Sequence, residues 1–207
     1  IYYKNFRRNK LTVAIDNYCE KNVLLNARKI VFVTDTMKKD YIKKYLWIEQ
    51  KSLVLYWGYD EADFKNHPGK LASITSIEEN VKSPIQNEHE EVLLHAGNIF
   101  DYQNPTELWK YLKAAAESKS MSKRKIKIKF IGTVAPAIKN SLNELGLDGI
   151  TEYLGFLTHS DMLTELSKAD YLMVCASEPR HVPGKPFEYL RTGKPIIAFG
   201  DGNEEVK

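Results

Sequence analysis

Cysteine is scarce in this sequence: Cys19 and Cys175 are the only two among 207 residues. Two thiols so far apart make no disulfide framework, and a reducing cytoplasm is the expected setting. Cys175 stands in the apolar run Tyr171-Leu172-Met173-Val174-Cys175 and reads as a buried strand thiol. The five histidines are scattered, and no Cys/His cluster has the spacing of zinc ligands. The sequence lacks G-x-G-x-x-G, which disfavours a nicotinamide dinucleotide site, and it lacks the G-x-x-x-x-G-K-[ST] phosphate loop. No apolar run approaches the roughly 20 residues needed to cross a bilayer. The chain opens on Ile1 rather than Met, so the lack of a leader-like stretch carries no argument about export.

What is present is ordinary globular composition, 43% hydrophobic and 28% charged, which argues against wholesale disorder. The net charge of +3 is too small to imply a nucleic-acid partner. Its distribution is uneven. Residues 1–51 carry 12 Lys and Arg against 5 Asp and Glu, and the remainder carries 18 against 22. Such a basic segment suits a solvated helix face, or peripheral contact with an anionic membrane.

Periodicity divides the chain into two regions. Residues 1–28 read as a helix, Ile30–Thr34 as a strand, Thr36–Tyr45 as a charged helix and Ser52–Tyr56 as a strand. Four elements are too few for an independent sheet domain. Residues 65–90 are polar and acidic, and read as a linker with a short helix near Ser76–Val81. From Glu91 strands alternate with helices. The strands are Glu91–Ala96, Lys125–Ile131, Ile150–Leu154, Asp170–Ala176 and Pro195–Phe199. The helices are one opened by Asn104-Pro105-Thr106-Glu107 with Asn104 as cap, Pro136–Leu145, one capped by Ser160, and Lys185–Arg191. The basic run Lys123–Lys129 alternates Lys with Ile and reads as an amphipathic or edge strand guarded by lysines. Alternation of this kind gives a parallel α/β sheet, Rossmann-like, with helices on both faces. Ligands then bind outside the carboxyl ends of the strands.

Three loops at those ends draw attention. In His95-Ala96-Gly97-Asn98, a glycine directly after a strand lets a ligand approach the main chain, or simply makes a tight turn. In Gly155-Phe156-Leu157-Thr158, the apolar pair can wall a base pocket or pack on the next helix. The third loop, Glu178 to Lys185, is rich in Pro and Gly and runs into a helix. The positive end of that helix and the Lys185 ammonium favour a phosphate. Glu188, one turn on, can accept hydrogen bonds from sugar hydroxyls, or serve only the helix dipole.

The stretch Pro183-Gly184-Lys185-Pro186-Phe187-Glu188-Tyr189-Leu190-Arg191-Thr192-Gly193-Lys194-Pro195-Ile196-Ile197 resembles the donor-site motif of family 4 glycosyltransferases. The Leu154–Leu157 step and the Leu94–Asn98 opening fall where that family has its counterparts, and Ala27–Phe64 resembles the last part of its acceptor domain. The resemblance implies a GT-B type fold. Residues 1–64 would be the C-terminal part of an acceptor-side domain, 65–90 the linker and 91–207 the domain that binds the nucleotide-sugar donor. It also implies a nucleoside-diphosphate sugar as substrate, no cofactor or metal, a glycan or lipid-linked acceptor, and usually retention at the anomeric carbon. No D-x-D pair is present, so the metal-bridged diphosphate site of the other common glycosyltransferase fold is not indicated.

Carried over by position, Lys185 would meet the diphosphate and stabilise the leaving group. Gly97, with Asn98, would let the main chain approach it, and Glu188 would bind the ribose. Phe156 and Leu157 would flank the base, and His181, Pro183 and Gly184 would face the transferred sugar. One position departs from the pattern: Arg180 stands where the family often has a second Glu. The reading is of a cytoplasmic glycosyltransferase, with peripheral contact at the inner membrane face through residues 1–51 and a role in cell-surface polysaccharide synthesis. Two alternatives stand beside it, a nucleotide-sugar epimerase of the same fold and a non-catalytic α/β binding module.

Overall fold

The first four elements form near where their periodicity places them, except that the first helix, expected over residues 1–28, begins at Lys10 with Asn9 as its cap. They are α1 (Lys10–Asn26), β1 (Ile30–Phe32), α2 (Asp35–Lys44) and β2 (Ser52–Val54), the two strands being paired in parallel. The computed structural model describes residues 8–65, 90–117, 125–177, 180, 182–200, 203 and 205–206. The linker stretch 66–89, with the short helix expected near 76–81, lies outside the described residues.

Contacts divide the chain into two units. The first comprises residues 1–57 with 178–182 and 201–207. Its core is Leu24, Ile30, Phe32 and Ile48, with Met37, Tyr41 and Val54 packed around them. Fully buried Thr34 caps α2 by accepting the Met37 N–H, and its hydroxyl donates to the Arg180 carbonyl (2.9 Å). Glu205 accepts both the N–H and the hydroxyl of Thr36 (2.6 and 2.5 Å) and the hydroxyl of Tyr56 (3.0 Å). Two stretches far along the sequence thus fold back on this unit. Part of its basic charge has internal partners. Lys51 donates to the carbonyls of Leu24, Leu25 and Ala27 at the end of α1, where a cation offsets the helix dipole. Lys44 pairs with Glu20.

The second unit comprises residues 58–177 and 183–200, and so takes in the short helix α3 (Glu61–Lys65). Its strands are β3 (Glu90–Ala96), β4 (Lys125–Ile131), β5 (Thr151–Gly155), β6 (Tyr171–Cys175) and β7 (Ile196–Phe199). They lie in the order β5-β4-β3-β6-β7, every pair parallel. The helices are α4 (Thr106–Glu117), α5 (Pro136–Glu144), α6 (His159–Lys168) and α7 (Lys185–Thr192). Successive strand residues face opposite sides of a sheet, so two cores result. Leu93, Ile128, Phe130 and Met173 pack with Trp109 and Leu112 of α4 and Ile138 and Leu142 of α5. Leu94, Leu172 and Val174 pack on the other face with Phe64 of α3, Met162, Leu163 and Leu166 of α6, and Tyr189 of α7. This is the Rossmann-like sheet with helices on both faces.

Three local expectations need correction. β4 is an inner strand, not an edge: it pairs with both β3 and β5. Its lysines are answered by carboxylates, Lys127 by Glu152 (3.0 Å) and Lys129 by Glu165 of α6 (3.0 Å). Helix α6 is capped by Thr158, whose side chain accepts the Asp161 N–H, rather than by Ser160. Asn104 does not cap α4. Its amide accepts from Trp109 Nε1 (2.8 Å) and donates to Ser141 Oγ (2.8 Å), joining α4 to α5.

The strand order sets the place for a ligand. From β3 the chain steps outward to β4 and β5, then returns to lay β6 on the other side of β3. In such sheets the ligand crevice lies at this reversal, here at the carboxyl ends of β3 and β6.

Candidate functional site

At the carboxyl end of β3, Gly97 takes φ +137°, a conformation that L side chains rarely adopt. Its N–H donates to the Ile131 carbonyl (2.8 Å), and the loops after β3 and β4 continue side by side through Ile99 and Val134. Packing there is close: a Cβ on Gly132 would lie 2.8 Å from the Gly97 carbonyl oxygen. Asn98 Oδ1 accepts the Thr133 N–H (2.9 Å), so this amide ties the two loops together. The Gly97 turn is thus held from the β4 side.

The other wall of the crevice is α7. Gly184 precedes it and Gly193 ends it at φ +68°. Pro186 has no N–H, and the Phe187 N–H donates to the Gly184 carbonyl (3.2 Å). The start of α7 thus offers fewer main-chain donors than a helix N-terminus usually does, and its positive charge rests chiefly on Lys185. Lys185 Nζ donates to Glu188 Oε2 (2.9 Å) and touches Met162 Sδ (3.2 Å). The second oxygen of Glu188 faces His159 Nε2 (3.3 Å), and His159 Nδ1 stands 3.7 Å from Asp63 Oδ2. Sequence reasoning did not single out His159; its place at the first residue of α6, beside the Phe156–Leu157 loop, was the available signal.

Tyr189 joins α7 to β3. Its ring is fully buried, and its hydroxyl accepts the Ala96 N–H (2.9 Å) and donates toward the Ala96 carbonyl (3.4 Å). Burial pushes the phenol's pKa well above its ordinary value, so the hydroxyl keeps its proton. One residue before Gly97 is therefore pinned to one residue after Glu188. Arg191 holds the far side of α7: its guanidinium makes two bonds to Glu61 of α3 (2.7 and 2.6 Å) and lies over the Phe64 ring.

The structure brings Lys185 and Glu188 into contact and links them through Tyr189 to the Gly97 turn. Pro183 and Gly184 lead directly into α7. Phe156 is 79% exposed at the end of β5, whereas Leu157 packs on the core beneath α6. His181 lies outside the described residues. Among the described residues no group of three or more His, Cys, Asp or Glu side chains is placed to hold a metal ion.

One residue in this region was passed over. His95 is buried on β3, with Nδ1 2.9 Å from the Met173 carbonyl oxygen and its ring near Phe130. Burial pushes its pKa below the ordinary 6.5, against a smaller upward pull from the backbone at Met173 and Asn98. Its Nε2 is buried without a hydrogen-bond partner.

Comparisons with known proteins speak to the family and the fold. The profile of the family described as "Glycosyl transferases group 1" matches residues 76–205. No curated protein sequence matches the chain. Among solved structures, HepE of Anabaena in complex with UDP-glucose superposes with a TM-score of 0.61 at 15% identity, over 99% of this chain and 52% of that one. A glycosyltransferase from Rickettsia africae gives 0.59 at 17% identity, over 83% and 44%. WaaG, a glycosyltransferase involved in lipopolysaccharide biosynthesis, gives 0.56 at 16% identity, over 82% and 44%. At such identities the likeness speaks for the fold, which is the GT-B type. The chain spans about half the length of these structures.

Proposed function

The chain belongs to the group 1 glycosyl transferases, and from that premise we propose that residues 58–177 and 183–200 form the donor half of an enzyme that moves a sugar from a nucleoside diphosphate to an acceptor hydroxyl. One observation carries the placement: Lys185 and Glu188 stand together at the start of α7, and Tyr189 fastens that helix beside Gly97 at the switch point of the sheet. In this reading the diphosphate lies between the Gly97 turn and Lys185. The ribose hydroxyls donate to Glu188, and the exposed ring of Phe156 covers the base. Residues 1–57 supply part of the acceptor side.

The reaction breaks the bond between the anomeric carbon and the diphosphate oxygen and forms one from that carbon to the acceptor oxygen. Negative charge grows on the departing diphosphate. In this reading Lys185 faces that oxygen, so it stabilises the transition state more than the ground state. The enzyme retains configuration at the anomeric carbon, needs no bound metal, works on the cytoplasmic side and serves polysaccharide synthesis. The resemblance to family 4 and the lack of a D-x-D pair support these points. No helix among the described residues is long and apolar enough to cross a membrane. The uneven charge of residues 1–51 supports a peripheral contact.

The test is Lys185→Ala in the intact enzyme. Sugar transfer from UDP-glucose or another nucleotide sugar should slow by about 100-fold or more, with the donor KM changing less. Unchanged turnover removes Lys185 from this role.

A further inference from the structure

The buried imidazole of His95 has no part in the reading so far. Its Nδ1 faces the Met173 carbonyl, which accepts only, so Nδ1 carries the hydrogen (2.9 Å). Burial disfavours the charged form, and the ring is neutral. Nε2 is then a bare acceptor. It is the buried side-chain polar atom that has no hydrogen-bond partner among the described residues. An unmatched buried acceptor is costly, and it calls for a donor.

Its position says where that donor comes from. The β3–β6 ladder pairs Leu93 with Tyr171 and Leu94 with Leu172 and goes no further. His95 is the next residue, at the mouth of the switch-point crevice. Beside Gly97, leaving aside its chain neighbours Ala96 and Asn98, the atom within 4 Å of the space a Cβ would occupy is His95 Nε2, at 3.9 Å. A ligand atom that takes up the room left by the glycine comes within reach of Nε2. An approach closer by about 1 Å makes a hydrogen bond.

We propose that His95 Nε2 accepts a hydrogen bond from a hydroxyl of the transferred sugar, which makes His95 a specificity residue of the donor site. Diphosphate oxygens cannot serve, because they carry no hydrogen at neutral pH and meet a lone pair with repulsion. The sugar bonded to the distal phosphate has hydroxyls to give, whereas those of the ribose go to Glu188. This assignment rests on the reading that the donor docks at Gly97.

Titration calorimetry on the intact protein tests it, with UDP against UDP-glucose and GDP against GDP-mannose. The wild type is run beside His95→Phe, which keeps a ring, and His95→Gln, which keeps a polar end. The sugar nucleotide should bind more tightly than the bare diphosphate. His95→Phe should weaken the sugar nucleotide by about 10-fold and leave the diphosphate within about 2-fold, and His95→Gln should restore part of the loss. Equal weakening of both ligands, or of neither, overturns the assignment.

Nitrogen NMR of the wild-type imidazole decides the matter even if the variants fold poorly. Nε2 should be unprotonated in the free protein, and its signal should move with the sugar nucleotide but not with the bare diphosphate. A protonated Nε2 in the complex overturns the proposal. Folded protein that binds none of the four nucleotides overturns the donor-site reading itself, and this assignment with it.

Discussion

Two histidines stand close to the crevice, in opposite surroundings. His159 is half exposed between the carboxylates of Asp63 and Glu188. His95 is buried beside Phe130, with its Nδ1 against the Met173 carbonyl. The second has a consequence for stability. Its pKa in the folded protein lies below the unfolded value near 6.5. As pH falls through that value the unfolded chain takes up a proton that the folded chain does not, so stability declines with acid. The window opens near pH 6.5 and extends down to the depressed folded pKa. A single group contributes at most about 1.4 kcal/mol per pH unit. Urea unfolding midpoints of wild type and His95→Gln between pH 7.5 and 5 should diverge in slope, the variant being flatter over that window. Parallel curves would mean that the imidazole titrates normally in the fold.

At the residue scale the sequence also has a clear limit of legibility. Lys185 and Glu188 stand out in the sequence because a Pro/Gly-rich loop runs into a helix, and that pattern is local. His95 was quoted only as part of a loop. Nothing in its neighbours tells that a carbonyl from β6, 78 positions on, takes its Nδ1. The partners of Thr34 and Lys129 are likewise distant in sequence.

Among the elements, α7 does most to shape the site, and what places it is one phenol. Tyr189 spends its hydroxyl on the main chain of Ala96 inside the core. Tyr189→Phe keeps the ring and leaves the Ala96 N–H without a partner. The cost should be about 1–3 kcal/mol, seen as a lower urea midpoint at unchanged slope. Because the lost bond joins α7 to the Gly97 turn, donor affinity should fall as well. Full stability in the variant would show that the apolar face of α7 alone fixes the helix.

From Glu91 on, the strands and helices end within a few residues of where apolar periodicity puts them, whereas α1 starts nine residues after its expected start and the short α3 has no periodic signal. Caps and edges were read less well. The cap of α6 moved from Ser160 to Thr158 because either hydroxyl can start a helix. The lysines of β4 suggested an exposed edge, and their partners on β5 and α6 became visible only in the tertiary structure.

For the whole molecule, the strand order carries the argument. An alternating βα pattern implies a parallel sheet, but it does not say where the order reverses. In the second unit the reversal lies between β3 and β6. The Gly97 turn after β3 and helix α7 after β6 are therefore brought together, although they are far apart along the chain. The first unit shows the opposite case. Its elements are legible, yet the contacts that Arg180 and Glu205 make with it are not written in any local pattern. The account as a whole requires that a nucleotide sugar bind at that crevice. The most direct measurement is a crystal structure of the intact enzyme soaked with UDP-glucose, or with whichever nucleotide sugar it binds. The account predicts the diphosphate within hydrogen-bond reach of Lys185 and the Gly97 turn, with the ribose on Glu188. A nucleotide bound elsewhere, or one that leaves the Lys185–Glu188 pair untouched, would contradict it.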